Sequence, residues 1–201
     1  MYRKPNNEPN LKIGHEIQRS DKSHTSIYKP NQRINLHNKD NVIYLSKGNA
    51  SAYSSVSDVL IINYFAPHIV GLETINNVNM INYLRCITDV TLHIIKKKDM
   101  ISILDDNNLW RCAFDILSGG VRILHERDNV NTKKTSKDTI IHYIKYIWSL
   151  PHTQRETISI YPFIMERTHI SRSLIHRVAT ELHSKNLIII QRGVLKNCVL
   201  P

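Results

Sequence analysis

The sequence predicts an α+β chain: a small barrel or sandwich of short strands, one long helix, and a C-terminal helix–turn–helix closed by a two-stranded hairpin. Three observations carry this. Between residues 41 and 98 the apolar residues recur with a period near two. From residue 108 the period becomes that of a helix. The last fifty residues order two short helices ahead of two short strands.

The strands come first. Val42-Ile43-Tyr44-Leu45 is an apolar run ending at Lys47-Gly48, and residues 50–56 alternate loosely. The β-branched and aromatic run over 59–65 stops at Pro67; 83–88 and 90–95 complete the set. Short strands at this spacing with Gly, Asn and Pro between them suit a barrel or sandwich. Residues 1–37 are rich in Asn, Ser, Pro and His and read as a polar, partly disordered segment. A strand is expected only near Asn31-Gln32-Arg33-Ile34-Asn35.

A short helix follows over 100–106, with Asp99 or Ser102 as its cap. The long helix spans 108–128. Its apolar positions Leu109, Ala113, Ile116, Gly120 and Ile123 recur at helical steps, and Leu109, Ile116 and Ile123 form a heptad row that would pair two chains. Residues 129–137 are polar and read as a linker. Asp138 is expected to cap a helix that ends before Pro151.

In the C-terminal region, 157–160 reads as a strand. Tyr161 to Arg167 reads as a helix with Pro162 at its first position, and Thr168-His169-Ile170 as the turn. Ser171 caps a second helix over 172–184. Residues 187–190, a turn at Gln191-Arg192-Gly193, and Val194-Leu195 form the hairpin, so the whole is a winged helix.

Charge and chemistry narrow the function. Lys and Arg number 27 against 17 Asp and Glu, a net charge of +10, which suits an acidic polymer as partner. Leu174, Ile175, Val178 and Leu182 face inward on the second helix, leaving Arg172, Ser173, His176 and Arg177 near its start to meet base edges in a major groove. Ser171, Thr168, His169, Arg192 and Lys196 are the expected phosphate and wing contacts. No nucleophile motif, phosphate-binding loop or paired-carboxylate constellation is present, so catalysis is not expected, nor a metal or cofactor. The three cysteines, Cys86, Cys112 and Cys198, are far apart and suit a reducing cytosol. No apolar run is long enough for a membrane span and no secretory leader is visible.

These residues carry a resemblance. Ser171-Arg172-Ser173-Leu174-Ile175-His176-Arg177-Val178, followed by Leu182 and Lys185-Asn186-Leu187-Ile188, resembles the winged-helix segment of the Crp/Fnr superfamily of transcription regulators. Val42 to Gly48 resembles a strand of that family's cyclic-nucleotide-binding-like β-barrel (a jelly roll), and Gly71-Leu72-Glu73 resembles the start of its phosphate cassette. More narrowly, Gly71-Leu72-Glu73, the run over 83–89 and that over 109–118 look like the enterobacterial IprA-like group. The resemblance covers residues 38–200. It implies a degenerate barrel over 38–107, a dimerisation helix over 108–128, and a DNA-binding winged helix over 138–201. It further implies a homodimer on double-stranded DNA in the bacterial cytoplasm, associated with the nucleoid and with RNA polymerase as a further partner.

Two departures bear on effectors. With Tyr83-Leu84-Arg85 on a strand, Met80-Ile81 falls where the family's cyclic-nucleotide binders carry Arg-Ser, so no cyclic AMP binding is expected. No cysteine precedes Cys86, so no iron–sulfur centre is expected. A protein-interaction adaptor that uses the barrel and winged helix without DNA is the alternative function.

Overall fold

The computed structural model describes residues 7–36, 40–76, 82–131 and 135–200, with backbone alone for 126–131. The chain divides into two compact units, 1–124 and 125–201.

The first unit is a jelly-roll-like pair of antiparallel sheets. One has the order β1 (His24–Tyr28), β8 (Val90–Lys96), β3 (Asn41–Lys47), β6 (His68–Val70). The other has the order β2 (Arg33–Asn35), β7 (Asn82–Cys86), β4 (Asn49–Ser54), β5 (Leu60–Phe65). Between them lie Ile43, Leu45, Leu92 and Ile94 from the first sheet against Ile34, Ala52, Leu84 and Cys86 from the second. The first sheet is covered on both faces. Val42, Tyr44, Ile69 and Ile95 turn outward against Ile13 and Ile17 of α1 (Glu8–Arg19), Met100 and Leu104 of α2 (Lys97–Asp106), and Leu109 and Ala113. This is why Val42 to Leu45 reads as an unbroken apolar run.

The polar opening segment is therefore not loop. It contains α1, β1 and β2. Helix α1 shows few aliphatics because its buried stripe is narrow: Ile13 and Ile17 are fully buried. Gly14 lets the helix approach the ring of Tyr44, where a Cβ would come within 2.3 Å of Cζ. Buried Asn10 accepts a hydrogen bond from the Ile69 backbone N–H at 2.8 Å, anchoring the helix to a sheet edge.

Other boundaries shift for local reasons. Lys96 stands at the N-cap of α2 with no side-chain bond, and Asp99 instead pairs with Lys22 at 3.3 Å. The long helix α3 runs Trp110–Asn131 and α4 runs Ser136–Ser149, so the expected linker shrinks; residues 132–134 lie outside the described residues. Thr135, not Asp138, caps α4. Its Oγ1 accepts from the Asp138 N–H at 3.1 Å and donates to the Asp138 carboxylate at 2.8 Å.

The second unit packs α4, α6 (Ile160–Met165) and α7 (Arg172–Ser184) on the hairpin β9 (Ile188–Gln191) and β10 (Val194–Cys198), with the single turn α5 (His152–Arg155) after α4. Ile140, Ile144, Ile147, Ile160, Ile164, Ile175 and Ile188 are all fully buried in one cluster. The strand expected at 157–160 is only a one-residue bridge, Ser159 to Val194, because α6 already begins at Ile160. Pro162 accordingly sits at the third helical position.

Candidate nucleic-acid interface

Helix α7 is built so that one face is buried and one is charged. Ile175, Val178, Ala179 and Leu182 are buried, whereas Arg172, Ser173, His176 and Arg177 are exposed. Ser171 caps it: Oγ accepts from the Leu174 N–H at 3.3 Å and lies 3.0 Å from Ser173 Oγ. At the other end Asn186 adopts φ +57°, the left-handed conformation that stops a helix and that Asn tolerates. The hairpin then turns on Arg192 and Gly193, both with positive φ, which matches the twist of a two-residue connection. At 193 the φ of +82° favours glycine, and a Cβ there would also make the Ser159 hydroxyl, 2.6 Å away, turn aside.

The seven lysines and arginines of residues 151–201 divide into two groups. Four are engaged within the unit. Arg155 stacks on Trp148 at 3.9 Å and Arg167 on Phe163 at 3.6 Å. Lys196 pairs with Glu156, and Lys185 with Glu181 at 2.8 Å. Lys137 also grips Glu181 at 2.7 Å, and the two ammonium groups lower its carboxyl to about 2. Arg172, Arg177 and Arg192 have no carboxylate partner among the described residues, and all three are exposed. Within residues 151–200, engaging the other cations leaves the free positive charge on the start of α7 and the wing tip; Lys145 on α4 is a further exposed cation.

Two of the expected contact residues are placed otherwise. Thr168 is buried; its hydroxyl donates to the Ile164 carbonyl at 2.8 Å and accepts from the Ile170 N–H at 3.2 Å. It shapes the turn and is not free for a phosphate. Lys196 is already paired on the flank of the wing. His169 is exposed. Tyr161 joins the site unannounced by any sequence signal. Its ring stacks on His176 at 6.2 Å and lies under the Arg172 guanidinium at 5.6 Å, so it props two of the exposed α7 side chains.

The expected pairing seam on the long helix is also displaced. Leu109 and Ala113 are buried in the core of the first unit, and Ile116 packs against it. Ile123 is exposed, and Gly120 faces open space. The exposed apolar row is instead Trp110, Phe114, Leu117, Val121 and Leu124. Its spacing of four, three, four and three is that of a two-helix seam.

Inside the barrel, a cavity of about 30 Å³, room for one water, is bordered by Tyr28, Asn35, Asn41, Gly71 and Thr74. Arg85 points away from it, on the outer face of its sheet. Met80 and Ile81 lie outside the described residues. Burial pushes His68, stacked on Tyr64 at 4.7 Å, down to about 4. Among the described residues no cluster of three metal-ligating side chains occurs, and no helix is long and apolar enough to cross a membrane.

A strand-rich first unit, a long helix and a winged helix-turn-helix form the architecture of Crp/Fnr-type transcription regulators, and this chain has that fold. Residues 136–200 match the family described as winged helix-turn-helix DNA binding. The fold superposes on the c-di-GMP-responsive global regulator CLP of Xanthomonas campestris with a TM-score of 0.70 at 14% identity, covering 92% of this chain and 97% of that one. A Crp/Fnr-family regulator from Eubacterium rectale gives 0.67 at 15% identity, covering 94% and 90%. In sequence the chain is similar to two bacterial proteins, of whose length it spans less than two thirds. It is 31% identical over 136 residues to the "Inhibitor of hydrogen peroxide resistance" of Escherichia coli K12, covering 65% of this chain and 63% of that protein. The Salmonella typhimurium protein of the same name is 27% identical over 101 residues, covering 50% of this chain and 49% of its own length.

Proposed function

We propose that this chain is a sequence-specific regulator of transcription that reads double-stranded DNA with the N-terminal half of α7. The observation that carries the reading is the capped start of that helix, where Arg172 and Arg177 are exposed without an acidic partner among the described residues. Arg presents two donors in the geometry of guanine O6 and N7. Ser173 and His176 share the exposed face as further base-reading side chains, and Ser171, His169 and Arg192 contact phosphates. The protein acts in the cytoplasm on the nucleoid as a homodimer, with the Trp110 to Leu124 row as its seam and RNA polymerase as a further partner. The two recognition helices then enter successive major grooves about 10 base pairs apart. It works without a cofactor and catalyses no reaction. The cavity of about 30 Å³ and the outward Arg85 favour a barrel that takes no cyclic AMP; micromolar binding by titration calorimetry would overturn that part.

Fluorescence anisotropy with duplex DNA at two salt concentrations tests the reading. Binding of the unaltered chain is expected to weaken with salt and to collapse in the Arg172→Ala/Arg177→Ala variant. Arg172→Ala alone is expected to cost about 1–3 kcal/mol and relax specificity at one base pair. Equal loss on specific and random DNA would reduce Arg172 to a phosphate contact. Binding indifferent to both changes would favour the adaptor.

A further inference from the structure

The outer face of the second barrel sheet holds a cationic group that the DNA-binding reading does not use. Strand register sets Arg33 of β2 opposite Arg85 of β7, Arg85 opposite Ser51 of β4, and Ser51 opposite Asn63 of β5. Their neighbours along the strands, Ile34, Leu84, Ala52 and Ile62, belong to the core, so these four side chains project outward. The next outward pair is Tyr83 and Tyr53, which stack at 5.4 Å with planes 13° apart. The Arg33 guanidinium lies 3.4 Å above the Tyr83 ring, and that of Arg85 lies 4.6 Å from the Tyr53 ring. Arg85 Nη2 also donates to Tyr83 Oη at 3.3 Å, and the Tyr83 hydroxyl donates to Asp58.

Two features of this arrangement point to a ligand. Like charges directly opposite on paired strands repel, and among the described residues no carboxylate forms an ion pair with either guanidinium. Asp58, the acid of the group, is engaged by the Tyr83 hydroxyl. A guanidinium stacked on a ring keeps its in-plane N–H donors clear of that ring, and two such forks side by side match an oxyanion. The Ser51 hydroxyl donates to Asn63 Oδ1 at 2.7 Å, which turns the carbonyl side of exposed Asn63 into the row and leaves its amide N–H₂ as a further donor.

We propose that Arg33 and Arg85, seated on Tyr83 and Tyr53, form an oxyanion site that takes a phosphate group. The site is separate from α7 and stands whether or not α7 reads DNA. A small phosphate compound and a nucleic-acid backbone present the same group, and the test separates them. The full chain is used with Arg172→Ala/Arg177→Ala as background, so that α7 does not contribute. Inorganic phosphate and pyrophosphate, compared with chloride at equal ionic strength, are expected to raise the thermal midpoint saturably. The expected rise is about 3 °C at tenfold the dissociation constant. Adding Arg33→Gln/Arg85→Gln is expected to abolish the rise, read in each chain against its own midpoint in chloride. An equal phosphate response with and without these changes would overturn the site.

Should that variant fail to fold, arginine side-chain NMR of the background chain decides, with Arg33→Lys and Arg85→Lys variants giving the assignments. Resonances of Arg33 and Arg85 that move with phosphate support the site, and unmoved ones overturn it. Residual duplex binding lost on Arg33→Gln/Arg85→Gln would assign the phosphate to nucleic acid. A phosphate response without any such loss would assign it to a small compound.

Discussion

Helices α7 and α3 are both amphipathic, and the sequence leads one to expect an interface on each: on the charged face opposite the apolar stripe in α7, and on the apolar stripe itself in α3. In α7 the stripe Ile175, Val178 and Leu182 is the buried one, and the charged face is the exposed one. In α3 the helical row through Leu109 and Ala113 goes into the core, while a second row, Trp110 to Leu124, stays exposed. The difference lies in what marks the outer face. Helix α7 has one apolar side, with two arginines opposite and a serine cap to set its phase. Helix α3 has apolar residues on two sides, and periodicity alone does not say which side the first unit covers.

Substituting the two α3 rows should sharpen this contrast most. Leu117→Asp/Val121→Asp places two charges in the proposed seam, and the dimer is expected to dissociate about 100-fold or more readily by sedimentation equilibrium. The thermal midpoint of the monomer should hold. Leu109→Ala acts on the other row. It is expected to cost about 2–4 kcal/mol in denaturant unfolding and to leave the dimer constant unchanged. A dimer weakened by Leu109→Ala and indifferent to the two aspartates would restore the heptad row through Leu109, Ile116 and Ile123.

The same contrast separates what was legible in the sequence from what was not. Strands β3, β5 and β8 announce themselves by β-branched runs, and the winged helix by its caps and turns, because these signals are local. The Ser171 cap and the hairpin turn at Arg192-Gly193 are of that kind. Helix α1 is hidden because two isoleucines, one glycine, one proline and one asparagine do its packing inside a polar segment. The roles of Thr168 and Lys196 depend on partners, Ile164 carbonyl and Glu156, that type and spacing do not disclose. Arg33 and Arg85 meet only through strand register, and Tyr161 reaches Arg172 and His176 only once α6 packs against α7.

Partial burial beside the Tyr64 ring is another property that composition hides, and pH exposes it. His68 is held near 4 by burial, below its ordinary 6.5 in the unfolded chain. The folded form therefore resists protonation while the unfolded form accepts it. Stability is full above about 6.5, falls as pH drops toward 4, and then levels, with a total of at most about 3 kcal/mol. His68→Gln is expected to flatten that segment of the stability profile measured by denaturant unfolding. An unchanged slope would place His68 in contact with water.

The smallest expected effect falls on the feature that made α7 readable. Ser171 satisfies one of the free N–H groups at the helix start, and Ser171→Ala is expected to cost about 1 kcal/mol in unfolding free energy. Exposed Ser171 is also a proposed phosphate contact, so the substitution should weaken DNA binding on every sequence alike. Arg172→Ala instead removes a base contact and should act on one position of the operator. A Ser171→Ala chain that loses stability and keeps full affinity would confine the hydroxyl to capping. The phosphate contact at the helix start would then belong to the backbone N–H groups, which remain whichever residue occupies position 171.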